Sequence, residues 1–173
     1  MFPTVYDGAI IQKLAPANPN NPRGLRTFEQ HFDRLPVQAT DYYRFAGEEF
    51  GGHFHKGEDP SKDPELFKLI SGKMEFCFYD KHQGRRVVTI DATDHVPVLL
   101  IIKPYLLHYA NAITDVIFSE FRVTPFDPAH SDTFPAAEFS RLFTIYKIGL
   151  TQEAVSDINQ FSSTAQGVQH VSS

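Results

Sequence analysis

From Tyr42 onward, short segments rich in aromatic and β-branched residues alternate with turn signals, and this pattern limits the fold more than any other feature. The segments read YYRFAG, EEFGGHFH, ELFKLIS, MEFCFYD, RRVVTID, VPVLLII and DVIFSEFRVT. The turns between them carry glycine, aspartate or proline, and the turn at Gly72 is the clearest hairpin signal. Short strands without long intervening helices predict an all-β fold, either an antiparallel sandwich or a closed barrel.

The regions that flank these segments have a different composition. Residues 1–14 predict a short edge strand, and the Pro/Asn-rich stretch Ala15–Gly24 predicts a loop. Thr27 and Gln30 have capping-box spacing and predict a short N-terminal helix. Phe139 begins the apolar spacing of an amphipathic C-terminal helix, which follows a proline-broken loop. We therefore divide the chain into an arm, a β-barrel domain, a helix and a polar tail: residues 1–41, 42–135, 136–150 and 151–173.

Composition limits the partners and the compartment. The chain has 173 residues, of which 42% are hydrophobic, and its net charge of −5 argues against nucleic-acid binding. Cys77 is the single cysteine, so no intrachain disulfide is expected and a reducing compartment is the simplest interpretation. The first residues lack the pattern of a signal peptide, and the longest apolar run, Val96–Ile102, is too short to cross a membrane. We expect a cytoplasmic protein with no membrane partner.

Three histidines and one glutamate occupy positions suited to a metal ion. Side chains two apart on a strand share a face, so His53 and His55 project together. Glu65 begins an apolar strand, where a carboxylate is costly to bury unless it is paired or binds a metal. His108 completes a set that suits Zn, Fe, Mn, Ni or Cu, and ligand type alone does not choose among them. The alternative is an ordinary His-x-His pair on a solvated strand.

The segments GGHFH, ELFKLISG and PYLLHYAN resemble the two motifs of the cupin superfamily, whose members are double-stranded β-helix (RmlC-like jelly-roll) barrels. The resemblance implies one divalent metal ion with the ligands His53, His55, Glu65 and His108. Nine residues separate His55 from Glu65, where the family usually has roughly three or four. The segment KGEDPSKDP is then a polar insertion beside the metal, and Glu58 becomes a rival carboxylate. The second motif also lacks its usual preceding glycines.

A narrower resemblance concerns the segment FRVTPFDPAHSDTFP. It is similar to the end of the cupin domain at the C-terminus of capsular-polysaccharide sugar-nucleotide epimerase/reductases, and the likeness covers about Tyr43 to Pro135. Sugar-nucleotide 3,5-epimerases and 3,4-ketoisomerases are also small cupins with related HxH segments, and several of them work without a metal. These resemblances imply an enzyme that epimerises or isomerises a keto sugar nucleotide during surface-polysaccharide synthesis.

Such a reaction needs a base at the carbon next to a carbonyl and an electrophile for the developing enolate. We consider Tyr105 and Glu120 as catalytic candidates, although each could equally be an ordinary surface residue. Lys56 and Lys68 point away from the metal face by strand parity. A diphosphate could contact one or more of three cations, Arg44, Lys103 and Arg122.

Two other functions remain open from the sequence. An iron-dependent cupin dioxygenase would use the same ligands, with Phe67, Phe76 and Phe78 as apolar walls for its substrate. A non-catalytic barrel that binds a small molecule would use the same cavity without chemistry. In each case a homodimer is expected, because barrels with exposed edge strands commonly associate.

Overall fold

The computed structural model describes residues 4–6, 8–14, 16–18, 21–25, 36–80 and 84–145. Within these residues, strands β1 to β13 span Thr4–Tyr6, Ala9–Lys13, Pro16–Asn18, Asn21–Leu25, Gln38–Arg44, Glu49–Phe54, Glu65–Ser71, Lys73–Asp80, Gly84–Asp91, Val98–Ile102, Leu107–Ala112, Val116–Arg122 and Phe134–Pro135. Helix α1 spans Ala136–Ile145, and two short 3-10 turns span Pro60–Lys62 and Pro128–His130.

The strands form two main antiparallel sheets, which confirms the predicted all-β class. One sheet has the order β1-β2-β10-β7-β12-β5, and the other has the order β13-β6-β11-β8-β9. The prediction of a hairpin at Gly72 is wrong, because β7 and β8 lie in different sheets. Gly72 has a φ of +85° and turns the chain from one sheet to the other. A local turn signal shows where the chain bends but not which strands then pair. The hairpin partner of β8 is β9.

Strand β10 shows how the sheets generate the core. All five of its residues are buried. Val98, Leu100 and Ile102 face the large apolar cluster between the sheets, whereas Leu99 and Ile101 join a smaller cluster on the outer side of their sheet. Burial on both faces explains why this strand is a continuous apolar run rather than an alternating one.

The flanking regions agree with the predictions only in part. Helix α1 begins at Ala136, and Phe139 packs against Phe54 with ring centroids 5.3 Å apart. The predicted loop at Ala15–Gly24 instead contains the β3–β4 ribbon, in which both strands are edge strands, and edge strands tolerate proline. The predicted loop before α1 contains β13, which pairs with β6.

The predicted N-terminal helix near Thr27, the last part of the predicted C-terminal helix (residues 146–150) and the tail (residues 151–173) lie outside the described residues. No helix in the described part of the chain combines the length and the hydrophobicity of a membrane span. The division into an arm, a barrel domain, a helix and a tail stays a prediction.

Candidate metal centre

Two neighbouring strands and a β-bulge place the histidines. His108 on β11 lies opposite His53 on β6, but Tyr109 lies opposite Gly51, so Gly52 is an extra residue in β6. Both glycines have positive φ, and a Cβ atom on Gly51 would lie 3.1 Å from the backbone of Tyr109. A bulge shifts the side-chain alternation by one position. The sequence GG therefore turns His53 into the barrel interior.

The four residues with metal-ligand spacing converge in the structure. One ligand atom from each of His53, His55, Glu65 and His108 lies within 4.8 Å of the others. Nε2 of His55 is 3.1 Å from Oε1 of Glu65, and Nε2 of His108 is 3.2 Å from Oε2 of the same carboxylate. Glu65, His55 and His108 are buried to 1%, 3% and 2% exposure, and His53 is partly buried. Glu58, the rival carboxylate, is exposed and outside this cluster.

Hydrogen bonds at Nδ1 orient the rings of His55 and His108 so that Nε2 of each faces the cluster. Nδ1 of His108 lies 3.0 Å from the carbonyl oxygen of Leu106, and Nδ1 of His55 lies against the carbonyl oxygen of Asp132. A carbonyl oxygen only accepts, so each Nδ1 carries a proton and donates it. In the neutral imidazole, Nε2 then presents a lone pair.

The two Nε2 lone pairs face the carboxylate of Glu65, which is an acceptor and not a hydrogen-bond donor. Nε2 of His55, Nε2 of His108 and Oε2 of Glu65 are buried and have no hydrogen-bond partner among the described residues. Two acceptors about 3 Å apart cannot satisfy each other, and buried polar atoms without partners are rare in folded proteins. A divalent cation would satisfy all three atoms, and carbonyl-bound Nδ1 is the usual arrangement behind a metal-binding histidine. The residues present fit the implied metal ion.

A buried lysine contacts the same carboxylate. Nζ of Lys62 lies against Oε1 of Glu65 and 2.6 Å from Oε1 of Glu120. Burial alone would raise the pKa of Glu65, but the ammonium of Lys62 holds it well below its usual range. Burial lowers the pKa of Lys62, but Glu65 and Glu120 raise it above its usual value. Both groups are therefore charged at neutral pH.

The polar insertion delivers this lysine and is anchored at both ends. The carboxylate of Asp132 accepts hydrogen bonds from the backbone N–H groups of Lys56, Gly57 and Asp59, at 2.9, 2.8 and 3.2 Å. Asp59 caps the 3-10 turn that ends at Lys62 and pairs with Arg122. The insertion is thus a structured wall of the site rather than a solvated loop.

A cavity of about 460 Å³ adjoins the cluster. Its volume is within the range of small-molecule sites. Apolar rings form much of the wall, and charged or polar groups interrupt it. The aromatic lining residues are Tyr42, Phe50, Phe67, Phe76, Phe118 and Phe126, and the charged or metal-ligand lining residues are Arg44, His53, Lys62, Glu65, His108, Glu120 and Arg122.

The sequence candidates for catalysis separate in the structure. Glu120 lines the cavity, and its Oε2 lies 3.3 Å from the hydroxyl of Tyr42. Tyr105 is 53% exposed and lies outside the cavity lining. Lys103 is exposed, and Phe78 is buried in the core rather than at the cavity wall.

Sequence analysis predicted no functional role for three residues of the site, Tyr42, Lys62 and Asp132. Lys62 and Asp132 are charged residues in segments rich in proline and charge, which usually indicate solvated loops. The one available signal was the length of the segment between His55 and Glu65, since a nine-residue, mostly polar segment next to a buried site must pack against part of that site.

Comparison of the sequence matches no protein-family model and no curated protein. Comparison of the structure does find similar folds. A double mutant of the 3′-monoepimerase ChmJ from Streptomyces bikiniensis, in complex with dTDP, has a TM-score of 0.57 at 16% identity and covers 94% of this chain and 98% of its own. A 3,4-ketoisomerase from Helicobacter canadensis has a TM-score of 0.57 at 14% identity, covering 79% and 97%.

A dTDP-4-dehydrorhamnose 3,5-epimerase from Sulfolobus tokodaii has a TM-score of 0.53 at 18% identity and covers 73% of this chain and 77% of its own. Likeness at such low identity establishes the fold. The narrower resemblance to capsular-polysaccharide epimerase/reductases stays a prediction. The chain has the jelly-roll fold of the RmlC-like cupins.

Proposed function

We propose that this protein is a metal-dependent cupin enzyme that epimerises or isomerises a keto sugar nucleotide, with a role in surface-polysaccharide synthesis. One observation carries the proposal: three of the four cluster residues line the same cavity as Glu120, a carboxylate that is not part of the cluster. The reaction needs both an electrophile and a separate base. The fold shared with two sugar epimerases and a ketoisomerase supports the substrate class.

His53, His55, Glu65 and His108 would hold one divalent ion, with Zn, Fe, Mn and Ni as the candidates. When bound, such an ion polarises a carbonyl oxygen and stabilises the negative charge of an enolate. Apolar rings form much of the cavity wall and lower the local dielectric constant, which strengthens electrostatic interactions at that point.

Glu120 is the group we assign as the base. Its side chain is 17% exposed, and contacts with Lys62 and Tyr42 fix its orientation. Glu120 takes a proton from the carbon next to the carbonyl. The C–H electron pair forms the C=C bond of the enolate, and the π pair of the carbonyl moves to its oxygen. Protonation of that carbon on its opposite face by a water molecule, with Glu120 keeping the proton it removed, epimerises the carbon. Delivery of the removed proton to the former carbonyl carbon, with loss of the neighbouring hydroxyl proton, moves the ketone instead.

Tyr42 is the group we assign as the donor to the enolate oxygen. Burial, with a smaller contribution from Glu120, raises the pKa of Tyr42, so the phenol keeps its proton at neutral pH. Arg44 lies over the rings of Tyr42 and Phe50, at 5.7 and 5.6 Å from their centroids. This position makes Arg44 our candidate for contact with the diphosphate.

The test is incorporation of solvent deuterium into a panel of nucleoside-diphosphate keto sugars. Wild type should exchange the hydrogen next to the carbonyl, and Glu120→Gln should lose at least about a hundredfold of that rate. Tyr105→Phe is the matched control, because its ring lies outside the cavity lining, and it should retain the wild-type rate. Absence of exchange across the panel, or full exchange by Glu120→Gln, contradicts the proposal.

The metal is tested separately by elemental analysis. Wild-type protein should carry a divalent metal at close to one ion per chain, and His53→Ala and His108→Ala should both lose it. Metal retained by both variants would place the ion elsewhere. Absence of metal even after supplementation would favour a metal-free sugar isomerase.

The aromatic wall favours one second candidate, an iron-dependent dioxygenase for an aromatic or diketone substrate. Phe67, Phe76 and Phe118 provide an apolar surface in the same cavity as the cluster. Oxygen uptake by iron-loaded protein with such substrates would favour this function, and zinc as the resident metal would count against it. Binding of a ligand without turnover would instead indicate a non-catalytic barrel.

A further inference from the structure

Lys62 places a fixed positive charge inside the candidate metal centre. The lysine is 7% exposed, and its ammonium contacts the carboxylates of Glu65 and Glu120. It belongs to the insertion between His55 and Glu65, so the usual cupin spacing would not supply it. The centre therefore combines one resident cation with two carboxylates.

The insertion holds Lys62 in place from both sides. The hydroxyl of Ser61 accepts hydrogen bonds from the N–H groups of Val123 and Thr124, at 3.0 and 3.1 Å. Asp59 accepts a hydrogen bond from the N–H of Ser61 at 2.8 Å and pairs with Arg122 at the end of β12. The turn that carries Lys62 is thus attached to a core strand, and the ammonium is held where it lies.

The ammonium and a metal ion would share one ligand. Glu65 meets Lys62 through Oε1 and faces His55 and His108 through its two oxygens. A divalent ion among these groups would be within a few ångströms of the ammonium, and like charges at that distance repel strongly in a partly dry site. A carboxylate whose charge is already compensated also attracts a second cation less.

We propose that Lys62 is an internal counter-ion that weakens divalent-metal binding at this centre. When no ion is bound, Lys62 compensates one of the two negative charges of Glu65 and Glu120, which lowers the cost of burying these carboxylates without a metal. When a divalent ion binds, the positive charge of Lys62 repels it and lowers its affinity. Lys62 thus sets the affinity of the centre and makes the metal exchangeable. The proposal rests on the proposed metal centre but not on the proposed reaction.

The test compares Lys62→Met with the control Lys68→Met. The control also removes one positive charge, but Lys68 lies on the face of β7 opposite to Glu65. Lys68 lies 5.6 Å from the centroid of the Phe121 ring, away from the cluster. Metal-free proteins are titrated with Co²⁺, and binding is followed by calorimetry and by the visible absorption of the bound ion. We expect Lys62→Met to bind Co²⁺ at least about tenfold more tightly than wild type, or about 1.4 kcal/mol. Lys68→Met and Lys62→Arg should bind it with wild-type affinity.

A purely structural role for Lys62 predicts the opposite sign, because a damaged site binds metal more weakly. Equal or weaker binding by Lys62→Met, or no binding by either protein, overturns the proposal. If metal-free Lys62→Met does not fold, the loaded proteins are challenged with a chelator. Less loss of Co²⁺ from Lys62→Met than from wild type then supports the proposal, and equal or greater loss overturns it. Inactivity towards keto sugars leaves these readouts unaffected, so the two failures are distinguishable.

Discussion

Asp132 carries the sharpest stability prediction, because one side chain satisfies three backbone donors. The residue is 4% exposed, and its carboxylate accepts hydrogen bonds from the N–H groups of Lys56, Gly57 and Asp59. Asp132→Ala leaves all three donors without a partner. A buried donor left unpaired costs about 1–3 kcal/mol, and water entering from the mouth of the site offsets part of this. We expect a loss of about 3–5 kcal/mol in the free energy of unfolding.

The assay is urea denaturation of the metal-free protein, followed by far-UV circular dichroism. With an m-value of about 2 kcal/mol/M, the midpoint should fall by roughly 2 M. Asp132→Asn keeps one acceptor oxygen and should lie between wild type and the alanine variant. Asp127→Ala is the control, because Asp127 is exposed and caps a short turn in the same segment. Its cost should stay at about 1 kcal/mol or less.

The same variant tests the link between the insertion and the metal centre. The main-chain carbonyl of residue 132 still accepts from His55 in Asp132→Ala, but the segment that positions it is loosened. Metal affinity should therefore fall together with stability. An unfolding free energy within about 1 kcal/mol of wild type would show that the three hydrogen bonds are not the anchor inferred here.

Two further predictions concern the turn at Gly72 and the titration of His53. Gly72→Ala should destabilise the fold by at least about 3 kcal/mol, because its Cβ would overlap the carbonyl oxygen of Asp115 at a φ of +85°. In the matched variant Gly47→Ala, the Cβ has no atom of the described residues within 4 Å, so only the cost of a positive φ, about 1 kcal/mol, should appear. Burial, reinforced by His108, lowers the pKa of His53 to about 3, whereas an unfolded histidine titrates near 6.5. The unfolded chain then binds the extra proton, so metal-free wild type should lose stability as the pH falls from about 6.5 towards 3, by at most about 1.4 kcal/mol per pH unit. His53→Asn should lose this contribution, and an unchanged pH profile in that variant would contradict the lowered pKa.

Local patterns anticipated much of the site because strand geometry is a local property. Side chains two apart share a face whatever the sheets do later, and this parity correctly separated Lys56 and Lys68 from the ligand face. Lys56 pairs with Glu138 of α1 at 3.1 Å, and Lys68 lies over Phe121. The same rule predicts that His53 and His55 project from one face, and both histidines lie in the cluster.

Local patterns failed where the outcome depended on which strands meet. The turn at Gly72 could be predicted from the sequence. The sheet that the chain joins after this turn could not, because strand pairing depends on residues far apart in the sequence. Tyr105 follows a proline in a turn, and only the fold shows that its ring points to solvent while Glu120 faces the cavity. The homodimer, the cytoplasmic location and the identity of the metal stay predictions.

Three features can be predicted from the amino-acid sequence without the structure: the all-β class, the alternation of buried and exposed positions, and the residue types able to bind a metal. These follow from backbone geometry and from the cost of burying polar groups, which act over a few residues. The tertiary structure alone decided that Glu65 rather than Glu58 faces the histidines, and that Lys62 and Asp132 belong to the site. Those contacts join residues from separate strands and loops, so they exist only once the two sheets have closed around a common interior.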